Sequence, residues 1–222
     1  MALSLPDAKD RISTILSAYK AVSGTSRDLL TSTMTSGKVY EAWVLTHVLE
    51  MLRTQEGYDV TLVGGDKVRL KSSPGPINRS YAHFRLRRDN SPGLEVWTDV
   101  EFMTLSSSLR SGAVPGPGDY HEIDILVVAE GATSRPGHDQ VLLGVECKNT
   151  GFEKDMMRAA LGVRRELSFL TEPAPTIFHS WPRSTVPAYP SSVYAVYSND
   201  PGVAKYDEAG KVFGVDFIYE TM

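Results

Sequence analysis

The sequence predicts an α/β fold, a central mixed β-sheet flanked by helices. Three observations carry that prediction. Residues 37–53 place apolar side chains at helical spacing. Residues 122–129 and 140–148 are apolar, β-branched runs of strand length. A second amphipathic helical stretch, 152–170, follows them directly. Helix, strands, helix and further strands in that order bury their apolar faces best as layers around one sheet.

From the N-terminus, residues 6–22 read as an amphipathic helix with Ala8, Ile12, Ile15, Tyr19 and Val22 on one face. Ser4 suits its cap and Pro6 its first turn. Residues 23–36 are rich in Ser, Thr and Gly and read as a connector. Segment 1–36 is thus an added helix and linker ahead of an α/β domain at 37–222, the whole forming one globular unit. On the 37–53 helix, Leu45, Val48 and Leu52 share a face with Glu41, while Trp43, His47 and Glu50 fall on the other side.

Strands are expected at 58–63 and 67–71, joined as a hairpin by Gly64-Gly65-Asp66. A loop at 72–80 leads to a basic strand at 81–88 and a longer strand at 94–105. Residues 106–119 are Ser, Gly and Pro-rich and read as a mobile loop. The 152–170 helix would bury Phe152, Met156, Ala159, Ala160, Val163, Leu167 and Leu170. A Pro-rich loop at 171–192 and strands at 193–198 and 212–219 complete the expected order.

The 222 residues suffice for a sizeable core, and no apolar run is long enough for a transmembrane helix. One cysteine excludes an internal disulfide and a cysteine-built zinc site, and fits a reducing cytoplasm. The formal net charge of −4 argues against indiscriminate binding to polyanions while leaving local basic patches open.

Charge inside the two central strands is the chemical signal. Asp124 interrupts Ile123-Asp-Ile-Leu-Val-Val128, and Glu146 and Lys148 interrupt Val145-Glu-Cys-Lys148. Residues two apart on a strand share a face, so Glu146 and Lys148 point together and Cys147 points away. A charge in a buried strand is costly unless paired or metal-bound. Glu41, Asp124 and Glu146 together outnumber Lys148, and the imbalance calls for a divalent cation. All-oxygen ligands favour Mg²⁺ or Mn²⁺, with the Cys147 carbonyl as a further donor. Lys148 would then sit beside the attacking water or the phosphate.

Each of these residues also has a plainer reading. Glu146 and Lys148 make an ordinary same-face ion pair, and Glu41 stands near a helix start open to solvent. Glu122 shares a face with Asp124 and reads as a fourth acid or a solvated strand residue. Asp99 and Glu101 read as the polar face of a half-exposed strand or as a second metal site. Arg85, Arg87 and Arg88, with aromatics nearby, suit either nucleic acid or a charged edge strand. Arg164 borders the apolar stripe of its helix and is the nearer candidate for a phosphate contact. Cys147 reads as a small apolar packing residue. A two-carboxylate sugar hydrolase would leave Lys148 without a role.

Asp124, a gap of about twenty residues and Glu146-x-Lys148 together resemble the PD-(D/E)xK nuclease superfamily, which includes restriction endonucleases. The resemblance covers roughly residues 37–198. Ile123 stands where the founding motif has proline. The resemblance implies a restriction-endonuclease-like αβββαβ core, with Glu41 as the acid of an upstream helix. It implies an Mg²⁺-dependent endonuclease acting on DNA in preference to RNA, in a prokaryotic defence or restriction setting. A homodimer or an accessory subunit would be in keeping with a short nuclease. The alternative within the same fold is a catalytically silent module that binds nucleic acid or a protein partner.

Overall fold

Both N-terminal helices begin on a side-chain cap. The computed structural model describes residues 3–19, 34–65, 68, 73–110, 114–170, 188–190 and 192–222. Helix α1 spans Leu5–Ser17 and α2 spans Ser36–Thr54. Ser4 Oγ accepts the Asp7 N–H at 3.3 Å, and Thr35 Oγ1 accepts the Lys38 N–H at 3.3 Å. Each cap satisfies a donor that the first helical turn leaves open.

The strands follow as β1 (Asp59–Val63), β2 (His83–Arg87) and β3 (Leu94–Met103). A short helix α3 (Leu105–Ser108) leads to β4 (Tyr120–Ala129), β5 (Val141–Lys148) and helix α4 (Lys154–Glu166). Then come β6 (Ser168–Leu170), β7 (Ala188–Pro190), β8 (Val193–Ser198), helix α5 (Asp207–Val212) and β9 (Val215–Tyr219). Seven strands make one mixed sheet in the order β1-β2-β3-β4-β5-β8-β9, while β6 and β7 pair separately. The first five run antiparallel to their neighbours; β8 and β9 join parallel to β5. The expected α/β class with a mixed sheet between helices is therefore what the chain forms.

One side of the sheet packs against α1 and α2 through Ile12, Leu16, Val44, Leu45, Val127 and Val145. The other side packs against α4 and the segment after β8 through Phe152, Ala160, Tyr194, Val203 and Phe217. Alternation along β8 puts Ala195 in the first core and Tyr194 and Val196 in the second, as a two-residue period requires.

Several local expectations change. Trp43 is buried, because α1 covers the side of α2 that faces away from the sheet, and its indole N–H donates to Glu220 at 3.2 Å. The 67–71 strand of the expected hairpin lies outside the described residues apart from Val68; among the described residues β1 pairs with β2. Part of the 106–119 stretch is helical, because Thr104 Oγ1 caps α3 through the Ser107 N–H at 3.1 Å. On α4, Ala159 is exposed and Arg164 is buried. The Val22 and Leu170 side chains lie outside the described residues. The last strand starts only at Val215. Asp200 accepts the Gly202 N–H at 2.8 Å and starts the 3₁₀ turn Pro201–Tyr206, which runs into α5.

The strands β3 and β4 change sides midway. Val96 lies in the α2-side core, yet Val100 and Phe102 lie in the opposite one. On β4, Ile125 and Val127 face α2, and Ile123 faces the other side. Strict alternation would keep these sets together. The switch falls at Asp99 and Asp124, and Asp99 has φ +52°. The left-handed region costs an L-residue roughly 1–2 kcal/mol, and Asp and Asn adopt it more readily than most.

That conformation gives a stability test. Asp99→Gly should be more stable than Asp99→Ala by about 1 kcal/mol, because glycine alone adopts this φ without strain. Both variants lose the same carboxylate, so urea unfolding compares the backbones directly. Equal midpoints would contradict a left-handed Asp99.

Candidate active site

Sheet register brings the acids together. β3 pairs with β4 through Thr98↔Ile125 and Val100↔Ile123, so Asp99 falls opposite Asp124. β4 pairs with β5 through Ile125↔Val145, and the next step along each strand reaches Asp124 and Glu146. From above, α2 contributes Glu41 one turn after its capped start. One carboxylate oxygen each from Glu41, Asp99 and Asp124 lie within 4.8 Å of one another.

Of the acids expected there, Glu41 and Asp124 belong to this group, with Asp99 as its third member. Glu146 stands beside it, the first of the charges that raise the Asp124 pKa. Glu146 accepts from its strand neighbour Lys148 Nζ at 2.5 Å. The thiol side of Cys147 packs against the α2-side core, as expected of a small apolar residue. Alternation then directs Glu146 and Lys148 to the opposite side of the strand.

Asp99 is the most buried member, 1% exposed. Its Oδ1 accepts from Lys38 Nζ at 2.5 Å, and the same ammonium donates to Glu41 Oε2 at 2.6 Å. Asp124 Oδ2 accepts the Cys147 N–H at 2.7 Å. The described ladder between β4 and β5 ends at Ile125↔Val145, so the Asp124 side chain takes over the next backbone donor.

Burial and nearby negative charge raise the proton affinity of Glu41, Asp124 and Glu122. Burial pushes the Glu41 carboxyl from 4.5 up to about 7, against the opposing pull of Lys38. Burial first, and then Glu146 and Glu41, push the Asp124 carboxyl well above the ordinary carboxylate range. Glu122, open to solvent on one side, is raised as well, by its partial burial and by Asp99. For Lys148, burial alone would lower the ammonium pKa, but Glu146 and Asp124 outweigh it and raise the value. Excess negative charge at half-buried positions is the common cause.

This donor set fits a divalent cation. All three groups offer carboxylate oxygen, the ligand that hard cations such as Mg²⁺ and Mn²⁺ prefer. The raised proton affinities of Glu41 and Asp124 show that more positive charge would be accommodated. Six charged side chains nearby, the acids Glu41, Asp99, Asp124 and Glu146 with Lys38 and Lys148, leave two negative charges uncompensated when all are ionised.

The basic residues singled out from sequence lie elsewhere. Arg164 is 4% exposed and donates to Ser192 Oγ at 2.8 Å and the Phe213 carbonyl at 3.4 Å. Ser192 precedes β8 and stands six residues from Ser198, the register partner of Lys148. That is roughly 20 Å along the strand. Arg164 therefore ties α4 to the far ends of β8 and β9. Along β2, Arg85 pairs in register with Glu95, and the strand runs on toward the Leu94 end of β3, away from Asp99. Arg87 is bound to Glu130. Arg88 donates to the Glu56 carbonyl at 2.7 Å and stacks over Tyr58. Arg85 and Arg87 sit on an interior strand and Arg88 just beyond it, toward the end of the sheet opposite Asp99. Glu101 lies opposite Glu122 and is held by Arg135 Nε at 2.6 Å, while Glu122 is exposed.

Lys38 has no place in the sequence reading, although a lysine three residues before Glu41 on a helix is positioned to pair with it. Asp99 reads from sequence as part of a polar strand face or of a second metal site; the first of these assumes an alternation that its left-handed φ breaks.

The raised Glu41 pKa has a consequence for stability. The folded protein keeps a proton on Glu41 that the unfolded chain gives up above its ordinary pKa of 4.5. Stability from this group is complete below pH 4.5 and is lost as pH rises through about 7. In chelator, the melting temperature should fall across that window, and Glu41→Gln should flatten the fall. An equally steep fall in both proteins would contradict the assignment.

Among the described residues, no helix is long and apolar enough to cross a membrane. Compared with known proteins, no family model, no curated protein and no solved structure matches this chain.

Proposed function

We propose that this protein is a divalent-cation-dependent nuclease that hydrolyses phosphodiester bonds, with DNA as its substrate, on a restriction-endonuclease-like core. The observation that carries the reading is the group Glu41, Asp99 and Asp124, with Asp99 buried and the other two half-buried, and the Lys148 ammonium on the adjoining strand. The element order supports it. Helix α2, strands β3, β4 and β5, helix α4 and strand β8 run in the αβββαβ order, with β1 and β2 added after α2, the short α3 between β3 and β4, and β6 and β7 between α4 and β8.

Glu41, Asp99 and Asp124 are the residues to hold the cation, Mg²⁺ or Mn²⁺. The Cys147 carbonyl is a further donor, since within a strand a residue's N–H and C=O point toward the same neighbour and its N–H already reaches Asp124. A cation bound there supplies a Lewis acid that polarises a phosphoryl oxygen and lowers the pKa of a water molecule.

The chain's own groups do the rest. The Cys147 N–H fixes the Asp124 carboxylate in one orientation, so little reorganisation is needed when charge develops. Lys148 stays charged at neutral pH, because Glu146 beside it raises its pKa. It serves as a fixed positive charge beside the reacting phosphate rather than as a general base. Glu146 holds that ammonium in place and is a positioning residue.

Purified protein should cut DNA with Mg²⁺ and stop in chelator. Asp124→Asn and Lys148→Met should each lower kcat by at least about 100-fold. Glu146→Gln, which keeps the ammonium but loosens it, should cost less, about 10-fold. RNA of the same sequence should be cut more slowly. Full activity in Asp124→Asn, or in chelator, would contradict the reading. Retained DNA binding with no cleavage by the wild type would instead indicate a non-catalytic binding module.

A further inference from the structure

Lys38 is the cation that already occupies the acid group. Its Nζ stands 2.6 Å from Glu41 Oε2 and 2.5 Å from Asp99 Oδ1. Magnesium and calcium ions bind carboxylate oxygen at about 2.0–2.6 Å, so the ammonium sits where a metal bound to the same two oxygens would sit. Two cations sharing those oxygens would be in contact and would repel.

The helix adds a second argument. Lys38 is the third residue of α2, and the first turn of that helix carries no acid. A helix N-terminus has partial positive charge and disfavours a lysine there. The ammonium is therefore held against the field of its own helix by Glu41 and Asp99. Its side chain is 25% exposed, so an outward path to solvent exists.

We infer that Lys38 and a divalent cation are alternative occupants of the Glu41–Asp99 carboxylate pair, the ammonium closing the site in the metal-free protein and leaving when the metal enters. This rests on the metal-dependent reading above and adds to it a regulation of the same site. Lys38 keeps the acids balanced while no metal is bound and weakens metal affinity by the work of its displacement. The pair then fills over a higher range of cation concentration than the three carboxylates alone would require.

Calorimetric titration of the full chain with Mn²⁺ tests this without any assay of cleavage. Lys38→Met should bind Mn²⁺ about 10-fold or more tighter than the wild type, within the range of typical coupling between two ligands. Its metal-free form should melt lower, and Mn²⁺ should raise its melting temperature more than it raises that of the wild type. Lys38→Arg, which keeps a cation on the carboxylates, should stay near the wild-type affinity. Equal or weaker binding by Lys38→Met, with the wild type binding normally, would overturn the inference and leave the metal site standing. No Mn²⁺ binding by either protein would overturn both. Should Lys38→Met fail to fold, acylation of Lys38 in the wild type decides the matter by mass spectrometry. Faster modification with Mg²⁺ supports displacement, and an unchanged or slower rate overturns it.

Discussion

Three carboxylates held within 4.8 Å of one another are the constraint around which the head of the sheet is built. At an effective dielectric near 20, each ionised pair at that separation repels by about 3 kcal/mol. The chain answers in three ways. Lys38 bridges Glu41 and Asp99. The Cys147 N–H holds Asp124. Burial shifts Glu41 and Asp124 toward their protonated forms. None of these removes the negative surplus, which is why the same group suits a cation.

The surrounding fold explains how acids come to lie in the middle of strands. β3 and β4 exchange core sides at Asp99 and Asp124, so neither residue belongs to the regular alternation of apolar side chains. A left-handed aspartate at this point is strained, and such strain persists where the surrounding structure over-determines it. Here opposing strands, the capped start of α2 and the Lys38 bridge do so together. Lys148 and Glu146 form a separate pair on β5. The two lysines thus stand in different relations to the acids: one fills the group, and the other flanks it.

Much of this frame was legible in the sequence. Charges within the apolar runs 122–129 and 140–148 marked the strands that meet at the site, and the apolar face around Glu41 marked the helix above them. What escaped detection depended on three-dimensional placement. Periodicity describes regular strands, so it left Asp99 between a polar strand face and a second metal site, without the positive φ that sets it opposite Asp124. The clustering of Arg85, Arg87 and Arg88 in sequence did not reveal that β2 runs away from the acids. Arg164 borders an apolar stripe because it is buried with that stripe, and its partners Ser192 and Phe213 come from distant parts of the chain. Glu146, expected at the metal from its strand position, both accepts from the i+2 lysine on its own strand and adjoins Asp124.

Anomalous diffraction from crystals soaked in Mn²⁺ tests the central claim most directly. The account predicts a peak within ligand distance of Glu41, Asp99 and Asp124, with the Lys38 ammonium moved off the carboxylates. A peak centred on Glu146 away from Asp99, or no peak with Lys38 still bridging Glu41 and Asp99, would contradict it.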